Sequence, residues 1–305
     1  MKIVLLDALT FGETDLSGFD SLGEVTVFQT TSSEQVQERI TNCDVIVTNK
    51  VVITNQHMAD TPTLKLICVA ATGMNNVDLN AAKEKNIKVK NVAGYSTDSV
   101  IQHTFSMLFY LVGHSRYYDE SVKDGSYSKS PIFTDISHPF FEIKGKKWGL
   151  IGLGAIGRGV ANIAKAFGAE VFYHSTSGRN ATDDYKRVTL DELLKTCDII
   201  TIHAPLNEQT NNLLDYEQLL TCKDGAVVLN LGRGGIINED AVAKIVDEKN
   251  IYFGLDVLSK EPMVENHPFL SVKNANKLYV TPHIAWASVE ARDKLIALVI
   301  ENIKS

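Results

Sequence analysis

Three ionisable side chains in the second half of the sequence are of the types that transfer a proton and hold an anion. Arg233 and His283 each follow an apolar run, and Glu261 lies between them in the chain. An imidazole near a carboxylate is a suitable proton donor to a carbonyl oxygen, because the carboxylate favours the protonated ring. A planar guanidinium can hold a carboxylate and a keto oxygen at once. Each residue alone is also typical of a surface loop, but together they indicate chemistry on a 2-oxo acid.

A glycine-rich segment, GLGAIG at 152–157, indicates the second reactant. It follows the apolar run 148–151 and precedes a helical stretch that ends near Phe167. In a G-x-G-x-x-G loop the first glycine permits a tight turn, the second lets a pyrophosphate approach the backbone, and the third allows close helix–strand packing. The phosphates then bind the free N–H groups of the helix. The sequence therefore predicts a Rossmann domain whose cofactor contacts include Gly152, Gly154, Ala155, Ile156 and Gly157.

The strand after this helix ends without the acidic residue that binds the adenosine ribose of NAD. The run 171–173 continues as HSTSGR, in which His174, Ser175 and Arg179 replace that acid. The hydroxyls and the guanidinium can hydrogen-bond a 2′-phosphate, and no carboxylate repels one. Arg179 pointing into solvent is an equally ordinary outcome for a loop arginine. The cofactor is therefore predicted to be NAD or NADP, with the preference open.

Short runs rich in Val and Ile, separated by helix-length segments, must position these residues. Strands that alternate with helices indicate right-handed βαβ units and parallel sheets. The two series predict an α/β fold of two doubly wound parallel-sheet domains. The last helix, 286–303, is expected to return to the first domain and make it discontinuous. The predicted strands are 3–6, 25–28, 45–47, 66–69 and 87–89, then 148–151, 171–173, 199–202, 226–229, 252–255 and 278–280.

The longest helical pattern covers 96–123, and an irregular aromatic segment follows it at 125–141. The helical pattern has one apolar face, and Thr97 or Ser99 can cap it. A poorly periodic segment of this length inside a compact chain often reaches another subunit.

Composition excludes several partners. The 305 residues carry 30 Lys and Arg against 37 Asp and Glu, a net charge of −7, which disfavours nucleic acid and anionic membranes. No apolar run approaches the roughly 18–20 residues of a membrane span. Four scattered cysteines form no C-x-x-C pair, so neither a disulfide framework nor a metal site is predicted. A soluble cytoplasmic protein is expected.

Taken in order, the motifs resemble those of the D-isomer-specific 2-hydroxyacid dehydrogenases over nearly the whole chain. The resemblance implies the Arg–Glu–His catalytic set described above and a small 2-oxo or 2-hydroxy acid as substrate. It also implies a substrate domain of residues 1–98 and 284–305, a nucleotide-binding domain of residues 99–283, and a homodimer formed through 100–141. The segments that carry it are GLGAIG (152–157), LNLGRGG (229–235), LDV (255–257), EP (261–262) and TPHIA (281–285).

Further site residues follow from the resemblance, motif by motif. Backbone N–H groups after the fourth strand bind the substrate carboxylate in the family, and here Thr72, Gly73 and Asn75 occupy that loop. The family's Ala-Glu after Thr97 is replaced by Ile101-Gln102, so no role is transferred there. The cofactor contacts that the resemblance implies beyond the glycine loop are Thr97, His203, Ala204, Pro205, Thr210, Leu231, Gly232 and Asp256.

Within the family, Trp286 after the catalytic histidine is typical of glycerate dehydrogenases, also called hydroxypyruvate reductases. A bulky indole at the pocket, with Arg233 and His283 as the other substrate contacts, favours a small substrate such as hydroxypyruvate or glyoxylate. Trp286 as a core residue of the last helix is the other interpretation. D-Lactate dehydrogenase is an alternative function, and a nucleotide-sensing corepressor of the same fold is another. A methyltransferase has a glycine loop but no need for the Arg–Glu–His set.

Overall fold

The computed structural model describes all 305 residues, and the chain divides into two compact units. Unit 1 contains residues 1–96 and 286–305, and unit 2 contains residues 97–285. The predicted boundaries, 98/99 and 283/284, lie within two residues of these. The last helix belongs to unit 1, because Leu295, Ile296 and Val299 are buried in the same hydrophobic cluster as Ile3 and Leu5.

Unit 1 is built on a five-stranded parallel sheet with the order β2-β1-β3-β4-β5. The apolar runs predicted as strands form this sheet, because a parallel sheet covered on both faces buries nearly every residue of its inner strands. All four residues of β3 and of β4 are buried. The strands are β1 (Lys2–Leu5), β2 (Glu24–Val27), β3 (Val45–Thr48), β4 (Leu66–Val69) and β5 (Lys88–Asn91).

Unit 2 is built on a seven-stranded parallel sheet with the order β12-β11-β10-β9-β6-β7-β8. The chain starts in the middle, runs to one edge, and returns to fill the other half, which is the doubly wound topology of a dinucleotide-binding domain. The predicted α/β fold class is therefore confirmed. The strands are β6 (Lys147–Ile151), β7 (Glu170–His174), β8 (Lys186–Arg187), β9 (Ile199–Ile202), β10 (Val227–Asn230), β11 (Tyr252–Leu255) and β12 (Leu278–Val280).

The helices begin where side chains satisfy the free N–H groups of their first turns. Asn238 caps α9 and Ser288 caps α10 in this way. No helix of the chain combines the length and apolar character that crossing a bilayer requires. The helices are α1 (Val36–Ile40), α2 (Asn55–Ala59), α3 (Leu79–Glu84), α4 (Thr97–Val112), α5 (Ser115–Lys123), α6 (Ala155–Ala166), α7 (Leu190–Thr196), α8 (Tyr216–Leu220), α9 (Glu239–Glu248) and α10 (Val289–Lys304).

The helical pattern predicted over 96–123 is two helices rather than one. The chain breaks between α4 and α5 at Gly113 and His114, and His114 has a left-handed φ of 47°. Glycine disfavours a helix interior, and a residue in the left-handed region ends one. A second helix begins at Ser115, directly after the break, which explains why the pattern alone predicted a single helix.

In unit 2 the strand order reverses between β6 and β9, which pair in parallel. Ligands of doubly wound proteins bind outside the carboxyl ends of the strands at such a reversal, because the loops diverge there. The predicted glycine loop follows β6, and the segment from His203 follows β9. The topology therefore brings these two segments to the position where a dinucleotide binds in this fold.

Candidate active site

His283 and Glu261 form an ion-pair geometry in unit 2. The Nδ1 atom of His283 lies 2.7 Å from Oε2 of Glu261, and the two side chains are 23% and 32% exposed. A carboxylate only accepts hydrogen bonds, so Nδ1–H donates and the ring presents Nε2 to a ligand. Because both side chains are partly exposed, the pair can deliver a proton from Nε2 to a bound molecule.

A buried carboxylate, Asp256, fixes the loop that carries His283. Its oxygens accept hydrogen bonds from Thr281 Oγ1 at 2.6 Å, from Ile284 N at 2.8 Å and from Ala285 N at 2.9 Å. The His283 N–H donates to the Asp256 carbonyl at 2.8 Å, and His283 itself has a left-handed φ of 54°. The carboxylate of Asp256 therefore holds the histidine loop, and its predicted contact with the cofactor stays a prediction.

Two residues of α4 that sequence reasoning missed also contact this loop. Ser99 Oγ donates to the Ala285 carbonyl at 2.6 Å, and His103 Nε2 lies 3.3 Å from Thr281 Oγ1 and 3.7 Å from Asp256 Oδ1. Burial lowers the pKa of His103, an effect that the Asp256 charge partly offsets. The spacing of four residues places Ser99 and His103 on one helix face, and that was the available signal.

The turn after β10 presents Arg233. Asn230 is buried, accepts from the Gly232 N–H at 3.0 Å, and donates through Nδ2 to the Arg233 carbonyl at 2.9 Å. These bonds close the turn, and Arg233 Nη1 also donates to the Gly232 carbonyl at 2.8 Å. The remaining guanidinium N–H groups are free to hold a planar anion.

The Arg233 turn and the segment before Glu261 touch through their backbones. A Cβ on Gly234 would overlap the Leu258 carbonyl and the Ser259 nitrogen. Leu258 in turn donates its N–H to Glu261 Oε1 at 2.9 Å. Arg233, Glu261 and His283 are therefore brought together by contiguous loops at the carboxyl edge of one sheet.

The three glycines of the predicted phosphate loop lie in three different environments. Gly152 has a φ of +96°, and a Cβ there would lie 2.8 Å from the Ala204 nitrogen. A Cβ on Gly157 would overlap the Gly152 carbonyl, whereas a Cβ on Gly154 would meet no atom within 4 Å. Backbone atoms therefore leave no room for a side chain at Gly152 or Gly157. Gly154 faces open space beside the first turn of α6. This arrangement fits a pyrophosphate approaching the helix N-terminus.

His203 is a second indication of a ligand beside this loop. Both ring nitrogens are buried without a hydrogen-bond partner, and burial lowers the pKa of His203 to about 3. Its carbonyl carbon would lie 3.0 Å from a Cβ on Gly152. Buried polar atoms without partners are rare, because leaving them unpaired is costly. The residues present therefore fit a dinucleotide, with a neutral imidazole beside it.

The other residues predicted after β9 and β10 shape these turns. Ala204 and Leu231 are buried, and Thr210 is fully buried. Thr210 Oγ1 donates to the Pro205 carbonyl at 2.7 Å and accepts from the Asn207 N–H at 2.8 Å. The predicted contact of Thr210 with the cofactor stays a prediction, since its hydroxyl is used within its own turn.

The turn after β7 is polar and carries no acid. Ser175 Oγ accepts from the Gly178 N–H at 3.0 Å, and His174 Nδ1 lies 3.3 Å from the Val188 carbonyl. Arg179 is exposed at the end of this turn. The turn therefore presents hydroxyls and one cation where NAD-binding domains have a carboxylate.

The predicted substrate loop lies in unit 1, at the carboxyl end of β4. Asn91 Nδ2 donates to the Thr72 carbonyl at 2.6 Å, and Thr72 Oγ1 donates to the Val92 carbonyl at 3.2 Å. No hydrogen bond within the chain uses the backbone N–H groups of Thr72, Gly73 and Asn75. The loop is thus anchored through other atoms and offers three donors for an anion.

Thr97 and Trp286 lie where the chain passes from one unit to the other. Thr97 is the first residue of unit 2, and Trp286 is the first residue after it. Trp286 is half-buried against the core of unit 1 and makes an edge-to-face contact with Tyr95, with ring centroids 6.2 Å apart. This is the packing expected of a core residue that precedes the last helix. Thr97 begins α4 and is half-buried. Its proximity to a nicotinamide stays a prediction.

The fold and the site together define an oxidoreductase that uses a nicotinamide dinucleotide. A family model of the D-isomer specific 2-hydroxyacid dehydrogenase NAD binding domain matches residues 105–285. The chain belongs to this family, and the resemblance seen in its motifs is confirmed. Its substrates are accordingly small 2-hydroxy or 2-oxo acids, and its cofactor is NAD or NADP.

Similar proteins are known over the full length of the chain. It is 36% identical to a hydroxypyruvate reductase of Blautia hydrogenotrophica, covering 100% of this chain and 96% of that protein. It is 33% identical to a glycerate dehydrogenase of Methylorubrum extorquens, covering 100% and 95%. A solved structure of an acyclic imino acid reductase, Bsp5, in complex with NADPH and D-Arg is 32% identical with a TM-score of 0.87, covering 100% and 96%.

Proposed function

We propose that this protein reduces hydroxypyruvate to D-glycerate and accepts glyoxylate as a second substrate. The observation that carries the proposal is the His283–Glu261 pair, 2.7 Å apart, in a loop that a buried Asp256 holds. The full-length similarity to a hydroxypyruvate reductase and a glycerate dehydrogenase supports the choice of acid.

Each residue of the proposed site has its own role in the reaction. When bound, the nicotinamide supplies the hydride that C2 of the 2-oxo acid receives. Arg233 holds the carboxylate and the keto oxygen and polarises the carbonyl. His283 gives its Nε2 proton to that oxygen, which becomes the hydroxyl of the product. Glu261 keeps the ring oriented and favours its protonated form, and the reverse direction returns the proton to Nε2.

Several other residues are proposed to bind the reactants. The free N–H groups of Thr72, Gly73 and Asn75 are suited to the substrate carboxylate, since unpaired backbone donors bind anions well. The first turn of α6, at Ala155 and Ile156, is suited to the pyrophosphate. The neutral His203 is suited to the adenosine part, because it adds no charge beside the phosphates.

Initial rates with hydroxypyruvate, glyoxylate and pyruvate, each with NADH and NADPH, test the proposed function. We expect the highest kcat/KM with hydroxypyruvate. A higher kcat/KM with pyruvate would identify a D-lactate dehydrogenase instead. Tight binding of the dinucleotide without turnover of any of the three acids would identify a nucleotide-sensing module.

We propose that the turn after β7 binds the 2′-phosphate of NADPH through Ser175 and Arg179. Arg179→Ala is expected to raise the KM for NADPH about tenfold and leave the KM for NADH within twofold, because a charge-assisted hydrogen bond contributes on the order of 1.5–3 kcal/mol. Arg187→Ala, on the neighbouring strand β8, removes the same charge as a control. Equal changes for both cofactors in the Arg179 variant would refute the assignment.

We propose a homodimer formed through the helix and arm at 100–141. Large apolar side chains are exposed in the arm at 125–141. Phe133 is 90% exposed, Ile136 is 77% exposed and Phe140 is 68% exposed. Such a run of exposed apolar side chains is typical of an interface. Phe133→Ser combined with Phe140→Ser is expected to convert the dimer to a monomer in light scattering after size-exclusion chromatography. A wild-type chain that elutes as a monomer at micromolar concentration would contradict the proposal.

A further inference from the structure

A half-buried carboxylate outside the Arg–Glu–His set holds the segment that leads to Glu261. Glu239 is the first residue of α9, and its side chain is 12% exposed. It accepts hydrogen bonds from the Ser259 N–H at 2.6 Å, from Ser259 Oγ at 2.9 Å and from His267 Nε2 at 2.9 Å. Three donors in a water-poor place hold a carboxylate in one orientation.

The hydrogen bonds of His267 define its tautomer. Nδ1 accepts from the Phe269 N–H at 3.3 Å, so it carries a lone pair, and Nε2 carries the hydrogen that it donates to Glu239. His267 is therefore a neutral donor, and Glu239 is the single charge of the cluster. The first turn of α9 favours that negative charge, because the free N–H groups of a helix point towards it.

Ser259 connects this cluster to the site. It lies two residues before Glu261, and the preceding Leu258 donates its N–H to Glu261 Oε1 at 2.9 Å. On the opposite side, Gly234 touches the backbone of Leu258 and Ser259 so closely that no Cβ fits between them. Glu239 therefore holds a segment that contacts both Glu261 and the turn of Arg233.

We propose that Glu239, supported by His267, is a positioning residue for the reaction. By anchoring Ser259 it keeps Glu261 in register with His283 and keeps the Arg233 turn against Leu258. The inference rests on the proposed roles of His283 and Glu261. Without the anchor, Glu261 spends less time on Nδ1, and the protonated ring of His283 is less favoured.

The test is the pH profile of Glu239→Gln. The amide keeps the size of the side chain but loses the charge and presents an NH₂ group to donors. We expect kcat for reduction at pH 8 to fall about tenfold, because the charge-assisted hydrogen bond of Glu261 to His283 loses its support. We also expect the pH above which kcat/KM declines to move down. The Kd for the dinucleotide stays unchanged.

Matched variants separate positioning from stability. Glu248→Gln, at the other end of α9, removes a carboxylate that accepts from Tyr216 Oη at 2.7 Å, and it is expected to leave the pH profile unchanged. His267→Leu removes one donor to Glu239 and should shift the profile in the same direction as Glu239→Gln. His267→Gln, whose amide can still donate, should restore it.

Two outcomes overturn the inference. One is a Glu239→Gln enzyme with a lowered Tm and a wild-type pH profile, since that shows a structural role alone. The other is that His267→Leu and His267→Gln have equal pH profiles. This second comparison can be made even if the Glu239 variant fails to fold. Failure of the proposed function is recognised separately, because a fully active His283→Ala enzyme would remove the premise.

Discussion

Replacing His283 by alanine is expected to lower kcat for 2-oxo acid reduction by about 10²–10⁴-fold, the contribution of a positioned general acid. No other group in the loop from Thr281 to Ala285 can replace it, since Thr281 Oγ1 and the N–H groups of Ile284 and Ala285 are bonded to the Asp256 carboxylate. The Kd for NADPH or NADH is expected to stay within twofold, because the glycine loop belongs to a different turn. Initial rates at saturating substrate and calorimetric titration of the cofactor measure the two quantities.

The control for this substitution is His57→Ala. His57 lies in α2 of unit 1, where its Nδ1 accepts from the Thr54 N–H at the start of the helix, and it is half-buried. Loss of that cap costs on the order of 1 kcal/mol of stability and leaves kcat unchanged. A His283→Ala enzyme with wild-type kcat would show that proton transfer is carried by another group and would refute the assignment of the site.

The inner strands of both sheets were predictable because inner parallel strands are buried on both faces. Four-residue runs such as Ile199–Ile202 consist of β-branched residues and are therefore recognisable as strands. All four residues of this run are buried in the structure. The edge strand β8, Lys186–Arg187, was not predicted, because two exposed cations give no apolar signal. The break at His114 was missed because a second helix begins directly after it, at Ser115.

The residues that hold the site could not be predicted in the same way. The glycine loop is a local pattern, so its spacing alone indicates its role. The contacts of Ser99 and His103 span 186 and 178 residues of sequence, and those of Glu239 with His267 span 28. An acidic residue after Asn238 is typical of any helix start, and only the tertiary contact shows that this one anchors Ser259.

Two carboxylates, one buried and one half-buried, hold the loops of the site. Asp256 holds the loop of His283, and Glu239 holds the segment before Glu261, so each half of the proton-donating pair has its own anchor. Both halves must be held, because a hydrogen bond between partly exposed side chains is weak unless their backbones are fixed. The proposed catalytic residues could be found as motifs in the sequence, whereas the residues that support them depend on tertiary packing.

Replacing Arg233 by lysine is expected to lower kcat/KM for the 2-oxo acid by about 10²-fold, with most of the change in KM. The planar guanidinium donates two parallel hydrogen bonds, whereas an ammonium is a point charge that keeps one. Losing one charge-assisted hydrogen bond costs on the order of 1.5–3 kcal/mol, which corresponds to about 10–150-fold. Lysine also lacks the second nitrogen that lets Arg233 bond to the Gly232 carbonyl while it holds the substrate.

Arg187→Lys is the matched control, since Arg187 is exposed on β8 and the substitution keeps the charge. Steady-state kinetics with hydroxypyruvate and glyoxylate distinguish the two roles of Arg233. Equal losses with both acids mean that the guanidinium binds the carboxylate and keto oxygen that the acids share. A loss with hydroxypyruvate alone would place Arg233 at the C3 hydroxyl, and unchanged kinetics with both would make it a residue of the turn only. We expect equal losses, because Asn230 and Gly234 fix this turn regardless of which acid binds.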